Sequence, residues 1–187
     1  MIKLKSIIET INEMDLLFEF PMRISDIDTD VFDDHDKNIS YAMATKKHTN
    51  IIDKYKKYDI YQFTPKNAKY DIHDVFIFGP YVEAYFNYSI NNGFFIEKKV
   101  WQGILHLGLC REIIFEYYLK KFNGIISDVL HSNKGEKYWK KLLIQAKSLG
   151  YKIYILKNEK ERIPLDDLDN IDKFYNSISY RFVIEKV

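Results

Sequence analysis

The stretch from Ile125 to Leu156, IISDVLHSNKGEKYWKKLLIQAKSLGYKIYIL, constrains the fold more than any other, because it carries a strand, a helix and a second strand with their punctuation. Gly124 can end a preceding helix in the left-handed conformation, and Ile125, Ile126 and Val129 flank Ser127 and Asp128 in a short run of strand type. Asn133 offers a side-chain oxygen to an unpaired amide of a first helical turn, and Glu136 three residues on completes a capping-box spacing. Trp139, Leu142, Leu143, Ala146 and Leu149 then keep a helical period, with Lys140, Lys141, Gln145 and Lys147 between them, so one face is buried. Gly150 stops the helix, and Tyr151, Ile153, Tyr154, Ile155 and Leu156 supply a β-rich run at once. The short links predict a β-α-β unit with parallel strands and a right-handed crossover.

Ahead of this unit the pattern is that of an antiparallel sheet. VFIFG after Asp74 reads as a strand ending at Gly79-Pro80. Val82 to Ile90 and Phe94 to Trp101 flank Asn91-Asn92-Gly93, and Asn-Gly tolerates the positive φ angles of a tight hairpin turn. Extended character continues from Gln102 to Leu107, with Gly103 marking a bulge or a splayed strand end. Cys110, Ile113, Ile114, Tyr117, Tyr118 and Phe122 form a helical stripe closed by Lys120, Lys121 and Gly124. Past the central unit, NEKERIPLDDLDNIDKFYN reads as a polar, acidic loop, and SYRFVIEKV alternates as a final strand.

The first seventy residues carry shorter signals. Ile2, Leu4, Ile7, Ile8, Ile11, Met14 and Leu17 predict an amphipathic helix, followed by a short strand over Leu17 to Phe20 that Pro21 stops. Ile39 to Thr45 reads as a strand, and Ile51 to Tyr58 as a short basic helix with Lys54, Lys56 and Lys57. With 187 residues, 47% of them hydrophobic, a single domain over residues 1–187 can bury its own core, residues 1–73 being irregular and 74–187 the ordered part. The predicted class is α+β, of the α/β three-layer type, with a mixed, largely antiparallel sheet and a parallel β-α-β unit near the C-terminus.

Charge and composition narrow the function. Twenty-eight basic against 27 acidic residues leave a net charge of +1, which gives no field for nucleic acid or an anionic membrane. No run approaches the roughly 18 to 20 apolar residues of a membrane span, and the chain reads as cytoplasmic. The single cysteine, Cys110, excludes an internal disulfide and a cysteine-cluster zinc site. Its neighbour Arg111 at a helix start is a setting that lowers a thiol pKa, but no Cys-His-Asn spacing accompanies it, and a buried structural thiol is the expectation. Asp26, Asp28 and Asp30 imitate the opening of a calcium loop, yet Val31 stands where the turn needs glycine and Lys37 where a glutamate should close the site. No metal site is assigned; the segment reads as a solvated acidic loop or a docking surface for a basic partner. Tyr81, Tyr85, Phe86, Tyr88, Phe94 and Phe95 lack the interleaved cations of a base-stacking platform, which leaves core packing or a partner-binding face.

Two local sequences add a resemblance. LHLGLCREI, residues 105–113, lies at a strand-to-helix junction, and ISDVLHSNKGEKYWKKL, residues 126–142, looks like a Ser-Asp, Ser, Gly, Trp, Leu signature of GNAT-like proteins of bacteriophages. With the element order, they make residues 74–187 similar to the GNAT superfamily of acyl-CoA N-acyltransferases. The resemblance implies a cofactor crevice between a splayed fourth and fifth strand, with glycines at the following helix start turning backbone amides toward the pyrophosphate. Arg111 aligns with the motif's basic position, but Glu112 stands where glycine is common, and Ile113, Ile114 and Phe115 follow with no small residue. The glycine nest is therefore missing, and Leu107, Gly108, Leu109, Cys110 and Arg111 are cofactor-binding residues only if acyl-CoA binds. A tyrosine four residues before the helix-ending glycine protonates the leaving thiolate in many members; here that position is Ala146, with Tyr138 and Tyr151 out of register. Strand-end candidates for a general base are His106, Asp128 and His131. The resemblance implies an accessory protein of a phage or mobile element, a possible pseudoenzyme without cofactor that binds a host or viral protein partner. An active N-acetyltransferase moving an acetyl group from acetyl-CoA to an amine is the alternative, and a virion structural component the third.

Overall fold

The computed structural model of the protein describes residues 18–19, 22–23, 51–64, 70–79, 81–103, 106, 108–129, 131, 133–168, 171–175 and 177–187. The predicted helix at the N-terminus, the strand at 39–45 and the acidic segment 26–36 lie outside these residues. Eleven strands form one sheet: β1 Phe18–Glu19, β2 Met22–Arg23, β3 Ile51–Tyr55, β4 Tyr58–Phe63, β5 Ile72–Phe78, β6 Tyr81–Asn91, β7 Phe94–Gly103, β8 Gly124–Ile126, β9 Lys152–Lys157, β10 Glu161–Pro164 and β11 Tyr180–Glu185. Their order is β10-β9-β11-β8-β7-β6-β5-β4-β3, with β1 against β7 and β2 against β6. Helix α1 covers residues 109–121 and widens to a π-turn over Ile114–Tyr118; helix α2 is Asn133–Ser148. The class is α+β, and the sheet is mixed but mostly antiparallel, in agreement with the expectation.

The central unit needs one correction. β8 and β9 do run parallel, but they are not neighbours: β11 lies between them, antiparallel to both. Phe182, Val183 and Ile184 of β11 are buried because they sit inside the sheet rather than at its edge. The hydrogen-bonded parallel pair of this region is β7 with β8, over Phe94–Gly124, Phe95–Ile125 and Ile96–Ile126, and α1 makes its crossover.

Ile51 to Tyr58 is not a helix. β3 and β4 form a hairpin whose turn places Lys56 at φ 52°. Ile51, Ile52, Tyr55 and Tyr58 have β-forming side chains, and packing of the two tyrosines outweighs the helix propensity of the lysines. The loop expected after Asn158 likewise contains β10, paired antiparallel with β9, and a 3₁₀ turn at Ile171–Phe174.

Other expectations hold. β6 and β7 form a hairpin through Asn92 and Gly93, at φ 51° and 79°. Tyr151 N–H donates to the Ala146 carbonyl at 3.0 Å and Gly150 N–H to that of Lys147 at 3.1 Å, so α2 ends in a Schellman motif with Gly150 at φ 80°. Trp139, Leu142, Leu143 and Ala146 are fully buried, whereas Leu149 is exposed. They join Phe76, Phe86, Phe95, Ile113, Tyr118 and Phe182 in one core against the sheet. Tyr85, Phe86, Tyr88, Phe94 and Phe95 are buried, which makes those aromatic residues core.

Candidate functional site

β7 leaves β8 after the Ile96–Ile126 pair, and Glu97 is the next residue. Across the hairpin Tyr88 faces Glu97 while Asn87 faces Lys99, so Lys98 is the extra residue of a β-bulge. Such a bulge bends its strand and re-aims side chains. Glu97 is 7% exposed, and the Trp139 indole N–H donates to its Oε1 at 2.9 Å. Burial raises its pKa to about 8; the nearby Asp128 pushes the same way and the bond from Trp139 opposes it. Oε2 has no hydrogen-bond partner among the described residues. The Tyr138 hydroxyl lies near the same carboxyl and, as a weak donor toward it, also opposes the rise, although neither it nor Oε2 closes a hydrogen bond of ordinary geometry; burial holds its own pKa well above the usual range. A buried carboxyl with an unpartnered oxygen, next to the point where β7 parts from β8, is a candidate site group.

The start of α1 is built differently from an open amide cradle. Gly108 precedes the helix at φ 87°, a conformation that suits glycine. Leu109 N–H donates to the His106 carbonyl at 3.1 Å, and Cys110 N–H donates to Oε1 of the buried Gln102 at 2.8 Å. Two first-turn amides are thus satisfied within the chain. The Cys110 thiol donates to the Trp101 carbonyl at 3.3 Å, and burial pushes its pKa well up. It is a structural thiol; Arg111 does not activate it, because its guanidinium turns to Gln145 Oε1 at 3.3 Å.

Glu112 reaches toward the β3–β4 turn while still lining the space beside Gly108 and Arg111. Its Oε1 accepts from Lys56 Nζ at 2.5 Å and from the Tyr55 hydroxyl at 3.0 Å, and Lys56 also pairs with Glu116 at 2.9 Å. An open cleft of about 620 Å³ lies between the start of α1 and the end of α2, with Gly108, Arg111, Gln145 and Tyr151 among its walls. A second cavity, of about 380 Å³, is lined by Lys56, Lys57, Tyr58, His106, Leu109 and Glu112.

The three predicted base candidates do not form one group. His106 belongs to the smaller cavity, where Lys57 Nζ lies 2.7 Å from its Nε2. An ammonium only donates, so that ring nitrogen accepts from Lys57. Asp128 and His131 lie together beyond β8, since the Asp128 charge acts on both His131 and Glu97. Asp128 Oδ1 accepts from Val129 N–H at 2.7 Å. His131 packs among Trp139, Tyr175 and Phe182, and burial lowers its pKa. Leu107 and the side chain of Asn133 lie outside the described residues. Among those residues no three His, Cys, Asp or Glu side chains come together as a metal site, and no helix is long and apolar enough to cross a membrane.

No family model matches the sequence, and no curated protein matches it significantly. In structure the chain is similar to a protein named "Putative acetyltransferase from GNAT family from Bacteroides thetaiotaomicron", with a TM-score of 0.39 and 10% sequence identity over 89% of this chain and 86% of that one. So distant a likeness assigns no role to any residue.

Sequence reasoning missed Glu97. The signal was present in Phe94-Phe95-Ile96-Glu97, where the acid shares the inward parity of Phe95 in an alternating strand. A charged residue at a core position of a strand marks either an ion pair or a site.

Proposed function

We propose that Glu97, beside the point where β7 parts from β8, is the general base of an acyl-transfer site for a thioester of the acyl-CoA class and an amine. The observation that carries this reading is the buried Glu97 carboxyl, held through one oxygen with the other unused. As the amine nitrogen forms the new C–N bond and the C–S bond breaks, Oε2 accepts the proton that the nitrogen sheds, and that proton passes on to the departing thiolate. The donor's phosphates meet Arg111 and Gly108 in the cleft rather than an amide nest, while Glu112 and Glu116, which also line it, share the one cation of Lys56. Calorimetry with acetyl-CoA, followed by thiol release in the presence of simple amines, tests the reading. Saturable binding with amine-dependent thiol release is expected, and loss of release in Glu97→Gln with binding kept. An intact fold that binds no acetyl-CoA overturns it.

A second reading is favoured by the occupied Cys110 amide. Here the acyl-CoA site is degenerate, and the chain, of phage or mobile-element type, acts by binding a protein partner. Absence of heat with acetyl-CoA, together with a specific partner that survives competition by acetyl-CoA, is its expected result.

A further inference from the structure

The Ser-Asp and Trp residues of the 126–142 signature converge on a carboxyl that lies outside the signature. Ser127 Oγ donates to the Asp128 carbonyl at 2.8 Å and accepts from Phe182 N–H at 2.9 Å, while Ser127 N–H donates to the Phe182 carbonyl at 2.9 Å. This ties the end of β8 to β11. The Phe182 ring in turn stacks on Trp139 at 6.1 Å and 21° between planes. Trp139 is fully buried, so its indole has one orientation, and in that orientation its N–H meets Glu97 Oε1. We infer that Trp139 is a positioning residue, fixing Oε1 of Glu97 so that Oε2 is the oxygen presented to the reacting amine. This rests on the acyl-transfer reading.

The chemistry of the indole supports the assignment. It has one donor and no acceptor, so it can orient the carboxyl and favour its charged form but cannot exchange its proton. The other ionisable groups that act on Glu97 are Asp128 beyond β8 and Tyr138 on α2, and Glu97 in turn acts on Cys110 of α1. Asp128 raises the proton affinity of Glu97, and the indole bond and, more weakly, the Tyr138 hydroxyl lower it. Losing the indole donor leaves Oε1 without the bond that holds it.

The test uses the intact protein, which contains two tryptophans, Trp101 and Trp139. In a pH series of its indole ¹⁵N–H resonances, the Trp139 signal, assigned by Trp101→Phe, is expected to titrate with Glu97 near pH 8. That titration is expected to vanish in Glu97→Gln. A Trp139 signal that is flat with pH, or that titrates unchanged in Glu97→Gln, overturns the proposal. In Trp139→Phe the pH–rate midpoint is expected to rise by about one unit, with kcat falling more than KM changes. A variant that loses only stability, its pH profile superimposing on the wild type, likewise overturns it. A titrating indole in a protein that acylates no amine upholds the held carboxyl and overturns the acyl-transfer reading instead.

Discussion

Glu97 is a charge-bearing side chain that the fold keeps protonated at neutral pH. Its ordinary pKa of 4.5 applies to the unfolded chain, and about 8 to the folded one. Between these values the unfolded chain has released a proton that the folded chain retains, so stability is fullest below pH 4.5 and declines toward pH 8. By pH 7 the decline is on the order of 3 kcal/mol. Glu97→Gln is therefore expected to raise the melting temperature progressively relative to wild type between pH 5 and pH 8. An equal difference at both pH values would place the carboxyl in a polar setting. The same ionisation predicts activity that rises with pH and levels off above about pH 8, since only the carboxylate accepts a proton. His73 behaves oppositely. Burial lowers its pKa to about 4, so its stabilising contribution is complete above pH 6.5 and is lost as pH falls toward 4. His73→Gln is expected to flatten that acid limb in urea titrations. At this scale the sequence showed where polar residues were but not which were buried: His131 was legible as a strand-end histidine, and its aromatic surroundings were not, because Tyr175 and Phe182 arrive from distant segments.

Turns and helix ends were the most legible elements, because one glycine or asparagine decides each of them locally. Gly150 illustrates the rule: nothing lies within 4 Å of an added Cβ, so Gly150→Ala costs only the strain of φ 80°, about 1 kcal/mol. Gly124 was read the same way, as a helix terminator, yet its φ is not positive. A Cβ there meets the Ile184 carbonyl oxygen at 2.4 Å and the Phe94 ring at 2.7 Å. The glycine is required by close approach of β11 and β7, a fact about sheet order that no local pattern holds. Gly124→Ala is expected to cost about 3 kcal/mol or more, well above Gly150→Ala, and equilibrium denaturation of the two variants checks the order. The β3–β4 hairpin was misread for a related reason. Three lysines in eight residues suit an exposed helix, whereas Tyr55 and Tyr58 are buried by contacts with Phe76, Phe78 and Tyr117 from elsewhere in the chain. The bulge at Lys98 had no sequence marker; Gly103, read as a bulge or a splayed strand end, closes β7.

At the scale of the whole molecule, the two parts of the sheet meet, among the described residues, through three residue pairs between β7 and β8. Backbone pairing this short would let the β8-β11-β9-β10 part open on its own, were it not for the helices. The apolar core runs without a break from Tyr58 and Ile60 of β4, through Ile113 and Tyr118 of α1, to Leu142 of α2 and Ile184 of β11. Asp74 of β5 adds a polar tie, accepting from Tyr118 at 2.7 Å, Tyr88 at 3.0 Å and Gln62 at 2.9 Å, and thus joining α1 to three strands. The Trp139–Glu97 bond fastens α2 to β7 across the splay itself. The class and the strand-helix sequence were readable from periodicity; this continuity was not, because it depends on β11 entering the sheet between β8 and β9. It predicts one cooperative unfolding transition. Leu142→Ala, at a fully buried position of α2, is expected to lower stability by about 2–5 kcal/mol. Tryptophan fluorescence should follow Trp101 and Trp139, and far-ultraviolet dichroism the sheet and helices, with coincident midpoints in the wild type and the variant. Two separated transitions in the variant would show instead that the C-terminal strands and α2 unfold as a unit of their own, and that the apolar core does not couple the two parts of the sheet.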